Sequence, residues 1–194
     1  MFKKIAQLIS TIFNPIFLLI PVPYVLILRT TKNFNTALYW TLFSLIFILI
    51  IGMFILIGIT KGYFSDLDIS HKSQRPMLFS FAILLSSIYI LCLYFLNAPK
   101  VLFIAVFALF AGLLAIEVVN RFTKASIHVA TVSALATSLS LIYGGVFFLS
   151  FLIVPLVSWA RIRTNNHTKQ QTVIGAIIGI VITTIVYAIF EIYS

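Results

Sequence analysis

Acidic side chains are scarce in this chain. Asp and Glu together number 4 among 194 residues, against 13 Lys and Arg. Charged residues of both signs make up only 9% of the chain, while 62% is hydrophobic and the mean hydropathy is +1.17. A soluble domain of this length has too little interior for so much apolar surface, which excludes a soluble globular fold and leaves a multi-pass membrane protein. The single cysteine, Cys92, excludes an internal disulfide; it lies in an apolar run and reads as a small buried hydrophobe. No small-residue cleavage site follows the first apolar run, which argues against a cleaved signal peptide. The net charge of +9 does not call for nucleic acid, because the cations sit in short gaps between apolar runs. Membrane lipids, anionic headgroups and phosphate are the expected partners.

What is present is a series of apolar runs near the length of about 20 residues that a spanning helix needs. They are Phe13–Leu28, Thr36–Ile59, Met77–Leu96, Val101–Val119, Ser126–Tyr143, Phe147–Trp159 and Thr172–Phe190. The first contains Pro15, Pro21 and Pro23 and is expected to be bent, short or re-entrant. The residues before it, Phe2–Ser10, read as a basic start with Lys3 and Lys4. The expected architecture is all-α: one integral membrane domain over residues 1–194, a transmembrane bundle of about six or seven helices.

Between the runs lie three polar islands, at 60–76, 120–124 and 160–171. Helical pairs that cross and return separate them, so all three are expected at one membrane face. That face collects His71, His128 and His167 together with most of the Lys and Arg. The positive-inside rule makes it the cytoplasmic side of the membrane.

Each island has a local logic. Lys72 and Arg75 are three apart just before a span, and Pro76 suits a first helical turn. Two cations at an interface suit a phosphate, with arginine as a fork and lysine as a point charge; interfacial snorkelling is the plainer alternative. Lys124, Ser126 and His128 open the next same-face helix, where free N–H groups and the helix dipole favour an anion. An ionisable residue one turn into a span is a functional candidate, although a lone histidine on an apolar helix is often structural. In the third island, RIRTNNHTKQQ, Arg161 precedes His167 by six residues and Gln171 follows it by four. With a helix starting near His167, the Gln171 carbonyl would accept from one imidazole nitrogen and aim the other outward.

The order of these features resembles the type 2 phosphatidic acid phosphatase superfamily, whose motifs are Lys-x6-Arg-Pro, Pro-Ser-Gly-His and Ser-Arg-x5-His-x3-Asp. Arg75-Pro76 matches the end of the first, Ser126 and His128 the second, and Arg161 and His167 the third with its spacing intact. The resemblance covers about residues 60–190, with two further spans before it over about 13–59. Asp68 stands where the first motif has Lys, Ala125 and Ile127 replace Pro and Gly, Ala160 replaces Ser, and Gln171 replaces Asp. Asp would stabilise a developing imidazolium, whereas neutral Gln orients it. HTKQQTVIGAIIG is also similar to a small branch of the family with His-Thr-x-x-Gln and a Gly-rich last helix.

The resemblance implies a metal-independent phosphatase with no cofactor, acting on a lipid phosphate or polyprenyl diphosphate. His167 would be the nucleophile that forms a phosphohistidine, His128 the general acid and Gln171 the residue orienting His167. Lys72, Arg75, Lys124, Ser126 and Arg161 would hold the phosphoryl group. Three other readings stand beside it. One is a non-catalytic lipid-phosphate binder or transporter on the same fold. Another is a membrane prenyltransferase using Asp66 and Asp68, which lacks the second aspartate cluster such enzymes use to hold magnesium. The last is a metal site on His71, His128 and His167, which the surrounding cations oppose.

Overall fold

The structure, a computed structural model, describes residues 2–69 and 71–192. It is all-helical, with no strand among the described residues. The helices are α1 (Phe2–Ile12), α2 (Pro15–Leu19), α3 (Val22–Thr31), α4 (Phe34–Thr60), α5 (Arg75–Phe95), α6 (Lys100–Phe122), α7 (Ile127–Tyr143), α8 (Ile153–Arg163) and α9 (Lys169–Ile192). Short 3-10 segments, Lys72–Gln74 and Gly145–Leu152, precede α5 and α8.

Among the described residues five segments are long and apolar enough to cross a membrane: Phe34–Thr60, Lys72–Phe95, Lys100–Phe122, Gly145–Arg163 and Lys169–Glu191. The protein is thus a multi-pass membrane protein. Phe2–Ile12 and Pro15–Thr31 reach that length only together, as a broken segment. The basic start is therefore helical, and the proline-rich run after it is split into α2 and α3. Proline explains the split: Pro15 opens α2, Pro21 precedes α3 and Pro23 occupies its first turn.

Proline also shapes the run over Phe147–Trp159, which lies within the crossing segment Gly145–Arg163. Pro155 has no N–H to donate to Phe151, and its ring crowds that carbonyl. Regular α-helix therefore starts only at Ile153, and the eight residues before it stay 3-10.

The chain divides into two compact units, Ile16–Val106 and Met1–Pro15 with Phe107–Ser194. In the first, α3 packs on α4, with Leu26, Ile27 and Ala37 buried. Asn33 caps α4 by accepting from the Thr36 N–H at 3.0 Å. Further along α4, Phe47 stacks on Tyr89 of α5, whose hydroxyl bonds to Ser44, and Phe54 stacks on Phe81 at 3.8 Å. The loop after α4 folds back on it: the Tyr63 and Phe64 N–H groups donate to the Gly58 carbonyl at 2.8 and 3.1 Å. A Cβ on Gly58 would lie 2.2 Å from the Phe64 ring, so any larger residue there forces the ring to move. Phe64 and Ile69 then pack on Ile55 as a small core beneath the loop.

In the second unit α7 is the central element. Its 17 residues extend about 25 Å at 1.5 Å per residue, short of a hydrocarbon core about 30 Å thick. Yet it is buried at His128, Val129, Ala130, Val132, Ser133, Ala136, Thr137 and Ser140. Helix α9 runs along it in backbone contact. A Cβ on Gly175 would lie 2.5 Å from the Ser126 carbonyl oxygen, and one on Gly179 would lie 2.3 Å from that of Ala130. Small residues four apart give this close approach in membrane helices. Helix α1 packs on α8 in the same unit.

Candidate functional site

The islands at 120–124 and 160–171 meet in the unit built on α7. Arg161, expected in an irregular polar stretch, instead lies in the last turn of α8, where a cation is favoured by the helix dipole. The chain then reverses. Asn165 takes a left-handed conformation (φ 60°), its N–H donates to the Ile162 carbonyl at 3.0 Å, and the Asn166 N–H donates to that of Arg161 at 3.1 Å. This 6→1 and 5→2 pair is a Schellman motif, with Asn in the place glycine usually takes. The His167 N–H donates to the Arg161 carbonyl as well, at 3.2 Å, which folds the histidine back over the end of α8.

His167 is 6% exposed. Its Nδ1 lies 3.1 Å from Oε1 of Gln171. That same oxygen accepts the Thr168 N–H at 3.2 Å, and Thr168 Oγ1 accepts the Gln171 N–H at 3.3 Å. Thr168 and Gln171 therefore form a capping box at the start of α9. The box sets the tautomer. Because Oε1 is an acceptor only, Nδ1 carries a proton, an assignment that follows from the hydrogen-bond network. Gln171 thus caps a helix and orients the imidazole with one oxygen.

Two cations converge on the residue before His167. Lys124 Nζ donates to the Asn166 carbonyl at 3.0 Å. With its amide oxygen turned inward, the Asn166 side chain accepts from Nη1 and Nη2 of Arg161, both at 3.1 Å. Nη1 of Arg161 also donates to Ser10 of α1 at 2.7 Å. An amide oxygen in the fork of a guanidinium takes the place where a carboxylate or phosphate oxygen binds.

The start of α7 is tied to α9. The Ser126 N–H donates to the Gln171 carbonyl at 3.2 Å, and the Ala125 N–H donates to Asn120 Oδ1 at 3.0 Å. Ser126 is the N-cap residue, fully buried, but its hydroxyl makes no cap bond and no other hydrogen bond. A buried hydroxyl without a partner at a helix N-terminus is costly for the protein alone and is suited to an anion. His128, 5% exposed, follows in the first turn.

The island at 60–76 belongs to the other unit. Arg75 is 2% exposed, and its Nε donates to the Ile69 carbonyl at 3.3 Å. Ile69 holds φ at 46°, a strained value for a β-branched residue, and is buried in the core beneath the loop. Lys72 is exposed, as is His71, so the two cations that spacing puts on one face meet different surroundings. Asp66 is engaged within its own loop, by the Ser65 hydroxyl and the Asp68 N–H. Among the described residues no group of three His, Cys, Asp or Glu is placed to hold a metal ion.

Four residues of this arrangement have no counterpart in the sequence reading: Ser10, Asn120, Asn166 and Thr168. Thr168 was detectable, since Thr-x-x-Gln before an apolar run signals a capping box. Asn120 and Asn166 lie in the islands but carry no motif, and nothing local marks Ser10. Comparison with family models, with curated proteins and with solved structures returns no match.

Proposed function

We propose that this protein is a membrane-embedded phosphatase that hydrolyses a lipid phosphate or polyprenyl diphosphate through a phosphohistidine on His167. The observation that carries the reading is the convergence of Lys124 and Arg161 on Asn166, next to a buried histidine whose Nδ1 is held by Gln171. The resemblance to the type 2 phosphatidic acid phosphatase superfamily supports the reading through Arg161 and His167, which match its third motif.

In this scheme Nε2 of His167 attacks phosphorus and the bond to the leaving oxygen breaks. His128 gives that oxygen a proton, and water then cleaves the phosphorus–nitrogen bond. Arg161 and Lys124 offset charge on the phosphoryl oxygens, and the Ser126 hydroxyl with the first N–H groups of α7 adds donors. These side chains supply the electrostatics, so the scheme calls for no metal. The substrate tail lies in the bilayer, and the positive-inside bias puts the site on the cytoplasmic side of a cell membrane.

The test is metal-free phosphate release from a panel of lipid phosphates. Wild type is expected to turn over and His167→Ala to lose activity completely; equal activity of the two rules out the nucleophile. A second reading, a lipid-phosphate binder without chemistry, is favoured by the neutral Gln171 and by Asn166 in the guanidinium fork. Headgroup binding without turnover would establish it.

A further inference from the structure

We infer that Ser10 of the N-terminal helix α1 is a positioning residue for Arg161, so that the anion-binding site is built from the beginning of the chain as well as from its end. The inference rests on the reading of Arg161 as a phosphate-binding residue and adds to it the group that aims the guanidinium.

The contact is specific in several ways. Nη1 of Arg161 donates to Ser10 Oγ at 2.7 Å across 151 positions of sequence. Both ends are buried, Ser10 at 7% exposure and Arg161 at 2%. Helix α1 turns only Ala6 and Ser10 inward, one turn apart, while Phe2, Ile5, Leu8 and Ile12 stay exposed. Small inward residues with apolar side chains outward suit a helix that packs closely on a neighbour and faces lipid. Here the small face lies on α8 and its one hydroxyl meets the guanidinium.

The chemistry gives Ser10 a second use. A flexible arginine side chain loses rotamer entropy when it is fixed. Ser10 holds Nη1, so that arm of the guanidinium is placed before a ligand arrives and displaces the Asn166 oxygen from the fork. The Ser10 oxygen is the acceptor in this bond, which leaves its own proton for an oxygen of the ligand. A methyl group in its place removes the anchor and leaves the charge of Arg161 intact.

The experiment uses the full chain in lipid nanodiscs, with Ser10→Ala, Ser10→Thr, Arg161→Lys and the Ser10→Ala/Arg161→Lys pair. Binding of inorganic phosphate is measured by calorimetry, and phosphate release from a lipid phosphate is measured in parallel. Ser10→Ala is expected to weaken phosphate binding about tenfold, the value of one hydrogen bond to a charged group. Its kcat/KM falls by a similar factor, and Ser10→Thr, which keeps the hydroxyl, retains most of the affinity. On the Arg161→Lys background Ser10→Ala has little further effect. Equal losses on both backgrounds would overturn the inference, since Ser10 would then act on general stability. So would wild-type phosphate affinity in Ser10→Ala, or no phosphate binding by the wild type. Phosphate bound tightly by wild type, weakly by Ser10→Ala, and released from no lipid by either leaves the inference standing and removes the phosphatase reading.

Discussion

Arg75 and Arg161 are each 2% exposed, and they are held in different ways. Arg75 bonds within its own loop, to a carbonyl six residues upstream. Arg161 is gripped by Ser10, 151 positions away, and by Asn166, which Lys124 also holds. A local contact of the first kind forms whenever the loop folds, and it serves the loop. The second kind exists only when three distant stretches have packed, and it fixes a charged fork beside a histidine. Equal burial thus does not imply equal surroundings: the contact of Arg75 is local and those of Arg161 join distant stretches.

The largest effect that tests this contrast comes from lysine at each position, which keeps charge and removes the fork. Arg161→Lys should lower kcat/KM by about 100-fold, as for loss of a main transition-state donor. Arg75→Lys should cost about tenfold or less by the same measure. Comparable losses in steady-state assays would erase the distinction and make both arginines members of one site.

The next test compares close glycines in the two units. At Gly175 an added Cβ meets the Ser126 backbone, and at Gly58 it meets the Phe64 ring. Backbone cannot swing aside, so Gly175→Ala should cost about 1–3 kcal/mol in thermal unfolding, with Gly58→Ala costing less. Because Gly175 also sets the distance from α9 to the start of α7, its replacement should lower turnover while Gly58→Ala does not. The opposite order of stabilities would show that the α7–α9 contact yields easily.

A smaller effect is expected at Asn166. Asn166→Asp puts a carboxylate in the Arg161 fork, where it competes with phosphate. Affinity for inorganic phosphate should fall about tenfold while the melting temperature rises; tighter phosphate binding would sink the idea that Asn166 occupies the anion's place. Smallest is Thr168→Ala, which opens the capping box. It should cost about 1 kcal/mol of stability and a few-fold in activity, because Gln171 loses one of the bonds that aim it at His167. An unchanged melting temperature would mean that the cap adds nothing.

Much of the fold is legible in the residues. The long runs of α4, α5, α6 and α9 are set by apolar length, and their ends agree with the sequence reading to within a few residues. The break before α3 follows from prolines whose rings admit no helix interior. The His167–Gln171 contact follows from a spacing of four. Less legible was Arg161, which reads as loop from its polar neighbours. The Schellman turn begins three residues later, and α8 carries its cations out to its end. The effect of Pro155 on Gly145–Leu152 was legible in principle, but the apolar character of that stretch masks it. Ser10 was not legible at all, because no periodicity links residues so far apart.

For this chain the sequence by itself determined membrane residence, helical class and which polar residues lie between the spans. Apolar length and the demand that every backbone group in lipid be hydrogen-bonded leave little else. Only the tertiary structure decided which of those residues meet. Two glycines let α9 touch the backbone of α7, and a small inward face lets α1 reach α8. Those close approaches depend on shape across the packed unit, so they brought Lys124, Arg161 and His167 together around Asn166 and added Ser10 from the other end of the chain.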